Sequence, residues 1–383
     1  MPPSDSKAFI DCNASIASED VNTVKDIIDC KDCKDCKDCK DCKDCKDIID
    51  CKDCKDCKDC KDCIDSIDCI CTKVGNMTAT TAFDRTGMDR ICGFVNGKGG
   101  VLKTTLTANV GALLAVSGWK VLLVDMDPQG NLGLDLGYRH GTLDDDGSAL
   151  AQSLMFGTRL APLKDIRPNL DVVPGGAELD QAAAGLIAQS SKDGSKAKLA
   201  LARSLAPIAA EYDIIFIDCP PGNEPLQVAA LGAASYVVVP TKTDKAGREG
   251  LIGVAKRLDT VIDVNPNLDL LGVIITATSS TATNVHRTTR DAIAETFGTD
   301  AVLFNGMVRH AEAPAQAARD RGVLVHELEE QVKAAPKWYE VLKGTAEAGQ
   351  SQPRSAANVA EDLYQITNEL VARLQAAEER NAS

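Results

Sequence analysis

The stretch ICGFVNGKGGVLKTTLTANV, residues 91–110, decides the fold. Residues 91–95 are apolar and of strand length, and they run directly into Asn96-Gly97-Lys98-Gly99-Gly100-Val101-Leu102-Lys103-Thr104-Thr105. Beyond this turn Leu106, Val110, Leu113 and Leu114 recur at spacings of three and four, which predicts a helix ended by Gly118. Strand, glycine-rich turn and helix in that order make a cradle for phosphate. Main-chain N–H groups converge on the anion, and the helix N-terminus adds about half a positive charge. Lys103 is placed to neutralise β and γ phosphates, and the Thr104 hydroxyl to bind magnesium.

Upstream the chain is of another kind. Of its 16 cysteines, 14 lie between Cys12 and Cys71, leaving Cys92 and Cys219 in the remainder. A Cys-Lys-Asp triplet repeats through residues 26–63, and the larger unit DIIDCKDCKDCKDCKDC begins at Asp26 and again at Asp47. With so few large apolar side chains, this tract cannot offset an ordering cost of roughly 1 to 2 kcal/mol per residue. Residues 1–76 are therefore expected to form a disordered low-complexity tail, and 77–383 the folded domain. Overlapping Cys-x-x-Cys spacing invites zinc or a soft metal, but zinc sites set two ligand pairs apart by a folded spacer, and the tail has none. The expected reading is an expanded nucleotide repeat without a role of its own, with Met77 or Met88 as the working start.

The 383 residues carry 42 Lys plus Arg against 56 Asp plus Glu, a formal charge of -14, with 44% hydrophobic and 4% aromatic residues. That composition fits a globular protein and disfavours a uniformly basic nucleic-acid binder, although a local basic patch remains open. No uncharged apolar run approaches the roughly 18 to 20 residues a membrane span needs, and the first residues lack a secretion signal. A cytoplasmic location is expected.

Downstream, residues 121–124 are a continuous apolar run, as a parallel strand covered on both faces requires, and lead into Asp125-Met126-Asp127-Pro128-Gln129-Gly130-Asn131. Residues 212–221, YDIIFIDCPP, read as a buried strand ending at Asp218, which two prolines prevent from continuing. Cys219 reads as a small packing residue. Residues 236–240 and 270–276 are two more buried strands, separated by a helical stretch over 247–264; a further run at 302–304 precedes Met307, Val308 and Arg309.

The segment KGGVLKTT, residues 98–105, resembles KGGVGKTT, the deviant Walker A motif of the ParA/MinD class of P-loop ATPases. The resemblance covers about residues 90–325 and a closing helix over 356–375, leaving 329–353 as an insertion. It implies a doubly wound, mainly parallel α/β sheet flanked by helices, with ATP held by Gly97, Lys98, Gly99, Gly100, Val101, Leu102, Lys103, Thr104 and Thr105. Lys98 becomes the lysine that reaches across a nucleotide-sandwich homodimer, a cation supplied in trans as charge develops. The 125–131 stretch matches the family's DxDPQGN switch, so Asp125 helps hold hydrated Mg2+ and Asp127 orients the attacking water. Asp218 falls on the Walker B position as an outer magnesium ligand. Met307, Arg309 and Pro314 match a loop bordering the adenine.

Leu102 departs from the pattern, which has glycine there. A side chain forced into left-handed geometry costs roughly 1 to 2 kcal/mol. Several outcomes stay open: a working ATPase whose loop tolerates the side chain, or a catalytically impaired nucleotide-binding scaffold or regulator of the same fold.

Among branches of the class, a membrane-binding protein would end in a basic amphipathic helix, whereas residues 361–383 hold more acids than bases. An iron-sulfur branch would need paired cysteines, and a tyrosine-kinase branch a tyrosine-rich tail. The partition branch is closest. It implies non-specific binding of double-stranded DNA by the ATP dimer, a nucleoid location, and release when a centromere-binding adaptor stimulates hydrolysis. Arg287, Arg290 and Arg309 are the candidate DNA contacts, with Asp291, Glu295 and Glu312 among them. His140, His286, His310 and His326 show no ligand spacing and are expected at the surface.

Overall fold

The computed structural model describes residues 83–278, 283–335 and 355–382. The Cys-Lys-Asp tail, with its expected disorder and thiol chemistry, lies outside the described residues. So do residues 336–353 of the expected insertion, whose first residues belong to a helix.

Eight strands are described: β1 (Ile91–Phe94), β2 (Val121–Asp125), β3 (Leu163–Arg167), β4 (Leu170–Val173), β5 (Ile214–Asp218), β6 (Tyr236–Thr241), β7 (Asp269–Thr278) and β8 (Leu303–Arg309). They form one sheet in the order β3-β4-β2-β5-β1-β6-β7-β8. Every neighbouring pair is parallel except β3 with β4. The helices are α1 (Lys103–Val116), α2 (Asn131–Leu136), α3 (Ser148–Phe156), α4 (Glu178–Ser190), α5 (Gly194–Lys198), α6 (Ala200–Ala209), α7 (Glu224–Ala233), α8 (Lys245–Val261), α9 (Thr283–Phe297), α10 (Glu312–Arg321), α11 (Val325–Ala334) and α12 (Ala356–Ala382).

The unbroken apolar strands follow from cover on both faces. Alternate residues divide between two cores. Ile91, Leu122, Val124, Ile215, Ile217, Val237 and Val239 pack with Leu150, Leu179, Leu205, Leu226 and Leu251 of the helices on one face. Cys92, Phe94, Leu123, Ile214, Phe216 and Val238 pack on the other with Leu106 and Val110 of α1 and Leu363, Ile366 and Leu370 of α12. Each fully buried branched side chain contributes about 1.5 to 3 kcal/mol of transfer free energy. This is the expected doubly wound, mainly parallel sheet.

Three details differ from the sequence expectation. The closing helix runs on to Ala382. The runs at 302–304 and 307–309 form one strand, because the N–H groups of Asn305 and Gly306 donate to the Glu369 carboxylate at 2.9 and 3.0 Å. The β3–β4 edge was not anticipated.

The register sets up the site. Asp218 stands opposite Phe94 on one side and Asp125 on the other, so the segments leaving β1, β2 and β5 converge at one carboxyl-terminal edge. A crevice beyond such an edge is where an open α/β sheet binds ligands.

Candidate active site

The loop between β1 and α1 holds its shape through backbone torsions and three neighbouring elements. Leu102 caps α1 at φ 64° and ψ 27°, the left-handed region the sequence flagged, and Gly100 has φ 68°. The Leu102 side chain packs half-buried against the core that α1 shares, which offsets part of the strain. Asn96 Nδ2 donates to Pro240 O at 2.8 Å, and its Oδ1 accepts from Lys98 N at 2.9 Å. The Thr276 hydroxyl lies 3.2 Å from both Val101 O and Thr241 O. The ends of β6 and β7 are thus fastened to the loop.

Helix α8 packs tightly over this region because of its glycines. A methyl group on Gly250 would stand 2.6 Å from Asn96 Oδ1, and one on Gly247 would collide with Lys242 O. Each glycine costs about 1 kcal/mol of helix propensity relative to alanine, accepted for close approach.

Lys103 is 6% exposed, and its ammonium donates to Lys98 O, a carbonyl of its own loop, at 3.0 Å. Burial lowers its pKa, while Asp218, Cys219 and Asp127 oppose that shift. Lys98 points elsewhere: its Nζ lies 2.7 and 2.6 Å from the two carboxylate oxygens of Asp244. Asp244 caps α8 by accepting from Gly247 N at 2.6 Å, and the Lys98 hydrogen bond is the main reason its carboxyl lies below the usual range.

Three aspartates close the floor. Asp125 is fully buried; its oxygens accept from Asp127 N at 2.9 Å and Leu132 N at 3.2 Å. Burial and then the Asp218 charge raise its pKa, against those two bonds. Asp127 accepts from Gln129 N at 2.9 Å, and burial raises its pKa too. Asp218 is the exception, for both of its buried oxygens lack a hydrogen-bond donor. The Thr104 hydroxyl stands near enough to favour its charged form without meeting hydrogen-bond geometry, and Lys103 helps, but burial dominates and raises its pKa. An orphaned buried carboxylate costs several kcal/mol unless a cation or donor reaches it.

That orphan is the test of fit for magnesium, and the residues pass it. Asp218 offers two unused oxygens beside the Thr104 hydroxyl, with Asp125 in register. Among the described residues no three His, Cys, Asp or Glu side chains form a metal cluster. One or two carboxylates suffice for magnesium, which keeps several waters and takes substrate phosphates as ligands.

The remaining candidates are scattered. Met307 and Arg309 are on β8, three strands from β1, and Pro314 is buried in α10. Arg309 N, Nε and Nη2 all donate to Asp362 of α12, at 3.0, 2.7 and 2.7 Å. Arg287 and Arg290 are exposed on α9, line a cavity of about 290 Å³ with His286 and Met307, and Arg290 pairs with Asp300 at 3.0 Å. The structure brings those two arginines together and ties Arg309 elsewhere. His326 corrects the surface expectation: it is 7% exposed with Nδ1 unpaired, because the N-terminus of α11 is packed against the core. Cys219 is fully buried, and burial pushes its thiol pKa up, as suits a packing residue. Sequence reasoning missed Asn96, Asp244 and Thr276; an aspartate three residues before Gly247 at a helix start was the available signal for Asp244.

An AAA domain family model matches residues 89–273. The chromosome partitioning protein ParA of Myxococcus xanthus is 36% identical over 203 residues, covering 52% of this chain and 68% of its own length. The corresponding protein of Caulobacter vibrioides is 34% identical over 238 residues, with 59% and 84% covered. The chain belongs to the ParA family of partition ATPases. The sporulation initiation inhibitor protein Soj of Bacillus subtilis is 35% identical over 201 residues, covering 49% of this chain and 73% of the relative.

Solved structures agree on the fold. An McdA variant of Cyanothece in complex with ATP superposes with a TM-score of 0.57 at 19% identity, covering 73% of this chain and 96% of that one. A Borrelia burgdorferi plasmid partition protein bound to AMPPNP gives 0.51 at 19%, covering 74% and 99%. Among the described residues no helix is long and apolar enough to cross a membrane.

Proposed function

We propose that this ParA-family chain is a magnesium-dependent ATPase that closes into a homodimer around ATP, binds double-stranded DNA non-specifically in that state, and lets go when a centromere-binding adaptor stimulates hydrolysis. The observation that carries the reading is the orphaned Asp218 carboxylate in register with Asp125, set against the Lys103 and Thr104 end of the phosphate loop. A buried acid with nothing to bond suits a site built for a cation and its anionic partner.

Each residue has a role. The amides of Gly97, Gly99, Gly100, Val101, Leu102, Lys103, Thr104 and Thr105 cradle phosphate at the positive end of α1, and the Lys103 ammonium turns from Lys98 O to the phosphates. Thr104, Asp125 and Asp218 hold hydrated magnesium. Magnesium, when bound, supplies the Lewis-acid charge that the phosphoryl oxygens need. Asp127 accepts a hydrogen bond from the attacking water and aligns it. Lys98 leaves Asp244 and reaches the partner's phosphates, so hydrolysis and dimer opening are coupled. Met307, Arg309 and Pro314 border the base, the Arg309 N–H staying on Asp362.

Leu102 keeps the left-handed conformation that the glycine pattern requires, which favours the working ATPase over the impaired scaffold. Arg287 and Arg290 offer phosphate contacts for DNA on the cytoplasmic nucleoid; Arg309 would first have to leave Asp362. The chain from Met77 suffices for this function, and the Cys-Lys-Asp tail is dispensable.

The direct test is retention of a long duplex by the chain from Met77 with ATP, ADP or no nucleotide, at a fixed stated salt. Retention with ATP alone supports the reading. Equal retention in all three conditions refutes it.

A further inference from the structure

We infer that Lys242 and Arg257 are further phosphate-contacting residues of this site, two cations outside the loop motif that compensate the charge of a triphosphate. The inference rests on the proposed binding of nucleotide in the loop.

Position is the first argument. Lys242 directly follows β6, and β6 lies beside β1 with Val238 opposite Phe94, so the chain leaving β6 runs alongside the phosphate loop. A methyl group on Gly100 would stand 3.7 Å from Lys242 Nζ. Arg257 comes from a different element, α8, and lays its guanidinium against the other end of the loop. A methyl group on Gly97 would stand 3.2 Å from Arg257 Nη2 and 3.3 Å from Nη1. The two cations therefore flank the loop at its first glycine and at Gly100.

Their lack of partners is the second argument. Several part-buried arginines are held by acids: Arg139 by Asp144 and Asp146, Arg167 by Glu327, Arg309 by Asp362 and Arg319 by Asp135. Lys242 and Arg257 are half-buried, and neither side chain makes a hydrogen bond or close ion pair among the described residues. Arg257 Nε is fully buried with no acceptor. Asp244, the acid at this mouth, is occupied by Lys98, and Lys242 acts on it only at longer range. A chain with 56 acids to 42 bases has ample acid to neutralise both cations, yet leaves them open at one loop. A half-buried cation with an unmet donor is costly until an anion arrives.

Chemistry is the third. The planar guanidinium fork matches phosphate oxygens, and the ammonium serves as a mobile point charge. Two added cations favour the more highly charged ligand, so they discriminate ATP from ADP.

The test is calorimetric titration of the full chain with magnesium ATP and magnesium ADP for wild type, Lys242→Gln, Arg257→Gln, Arg257→Lys and the loop control Lys103→Ala, with thermal midpoints recorded. Each Gln variant should weaken ATP about tenfold and ADP by about threefold or less, with a shallower salt dependence, and Arg257→Lys should recover part of the loss. The inference is overturned if both Gln variants bind ATP as wild type does while Lys103→Ala fails. It is equally overturned if ATP and ADP weaken together alongside a lowered midpoint, the mark of a packing role. Wild type that takes up no nucleotide refutes the nucleotide reading itself, and this inference with it.

Discussion

Lys98 and Asp244 are joined within one chain by two short contacts, 2.7 and 2.6 Å from Nζ to the carboxylate oxygens, and the same carboxylate caps α8. The lysine proposed to reach a partner's phosphates is therefore held by its own chain, and in the proposed cycle closure would exchange one anion for another. Asp244→Asn keeps a good helix cap while removing the competing charge. Because the pair is partly exposed, its loss should change stability by only about 0 to 1 kcal/mol. Dimerisation should need several-fold less ATP, as measured by light scattering across a nucleotide titration. An unchanged or higher ATP requirement would show that the pair does not restrain Lys98.

Leu102 predicts an asymmetric response to substitution. Leu102→Gly relieves about 1 kcal/mol of left-handed strain and loses about as much packing, so the thermal midpoint should move by roughly 2 °C or less. Leu102→Ile, branched at Cβ, should lose roughly 1 to 3 kcal/mol and bind ATP more weakly. With DNA and adaptor present, wild-type turnover should lie within about threefold of the glycine variant. A far slower wild type would revive the impaired scaffold.

Asp218 predicts a pH signature. Burial raises its folded pKa above an unfolded value of about 3.9, so the folded chain holds the proton more tightly. Stability attached to this group is present at low pH and declines as pH rises through the folded value. Asp218→Asn should match wild type near pH 4 and exceed it at pH 8 by roughly 1 kcal/mol or more, about 2 to 4 °C in midpoint, while ATP turnover collapses. Calorimetric midpoints at the two pH values check this; a gain that shrinks with rising pH would contradict it.

The start of the folded unit predicts a truncation result. Phe83 packs half-buried against the core, and the Arg85 guanidinium donates to Ala233 O at 3.3 Å and to Gly232 O. Met88 is itself buried, and its N–H donates to Arg85 O at 2.9 Å. A chain from Met77 should melt with the full chain, whereas one from Met88 should lose roughly 1 to 3 kcal/mol, several degrees of midpoint. Differential scanning fluorimetry of the three chains decides it.

Local chemistry made much of this legible in the sequence. The loop, α1 and strands β1, β2, β5, β6 and β7 follow from a glycine-rich turn, helical spacing and apolar runs. The β3–β4 edge escaped because Lys164, Asp165 and Arg167 hide the strand pattern; Lys164 pairs with Asp171 of the neighbouring strand, Arg167 with the distant Glu327, and Asp165 has φ 54°. Helical spacing likewise could not tell that Gly247 and Gly250 would bring α8 onto the loop, or that Arg257 would rest on Gly97. Those facts exist only once distant segments meet.

The most direct test of the account is the solution mass of the chain from Met77, measured by sedimentation velocity with magnesium ATP, magnesium ADP and no nucleotide, beside Lys98→Ala. The account predicts a dimer for wild type with ATP alone, and a monomer for Lys98→Ala even when it has bound ATP. A wild type that stays monomeric while saturated with ATP, or a Lys98→Ala chain that dimerises equally well, would contradict it.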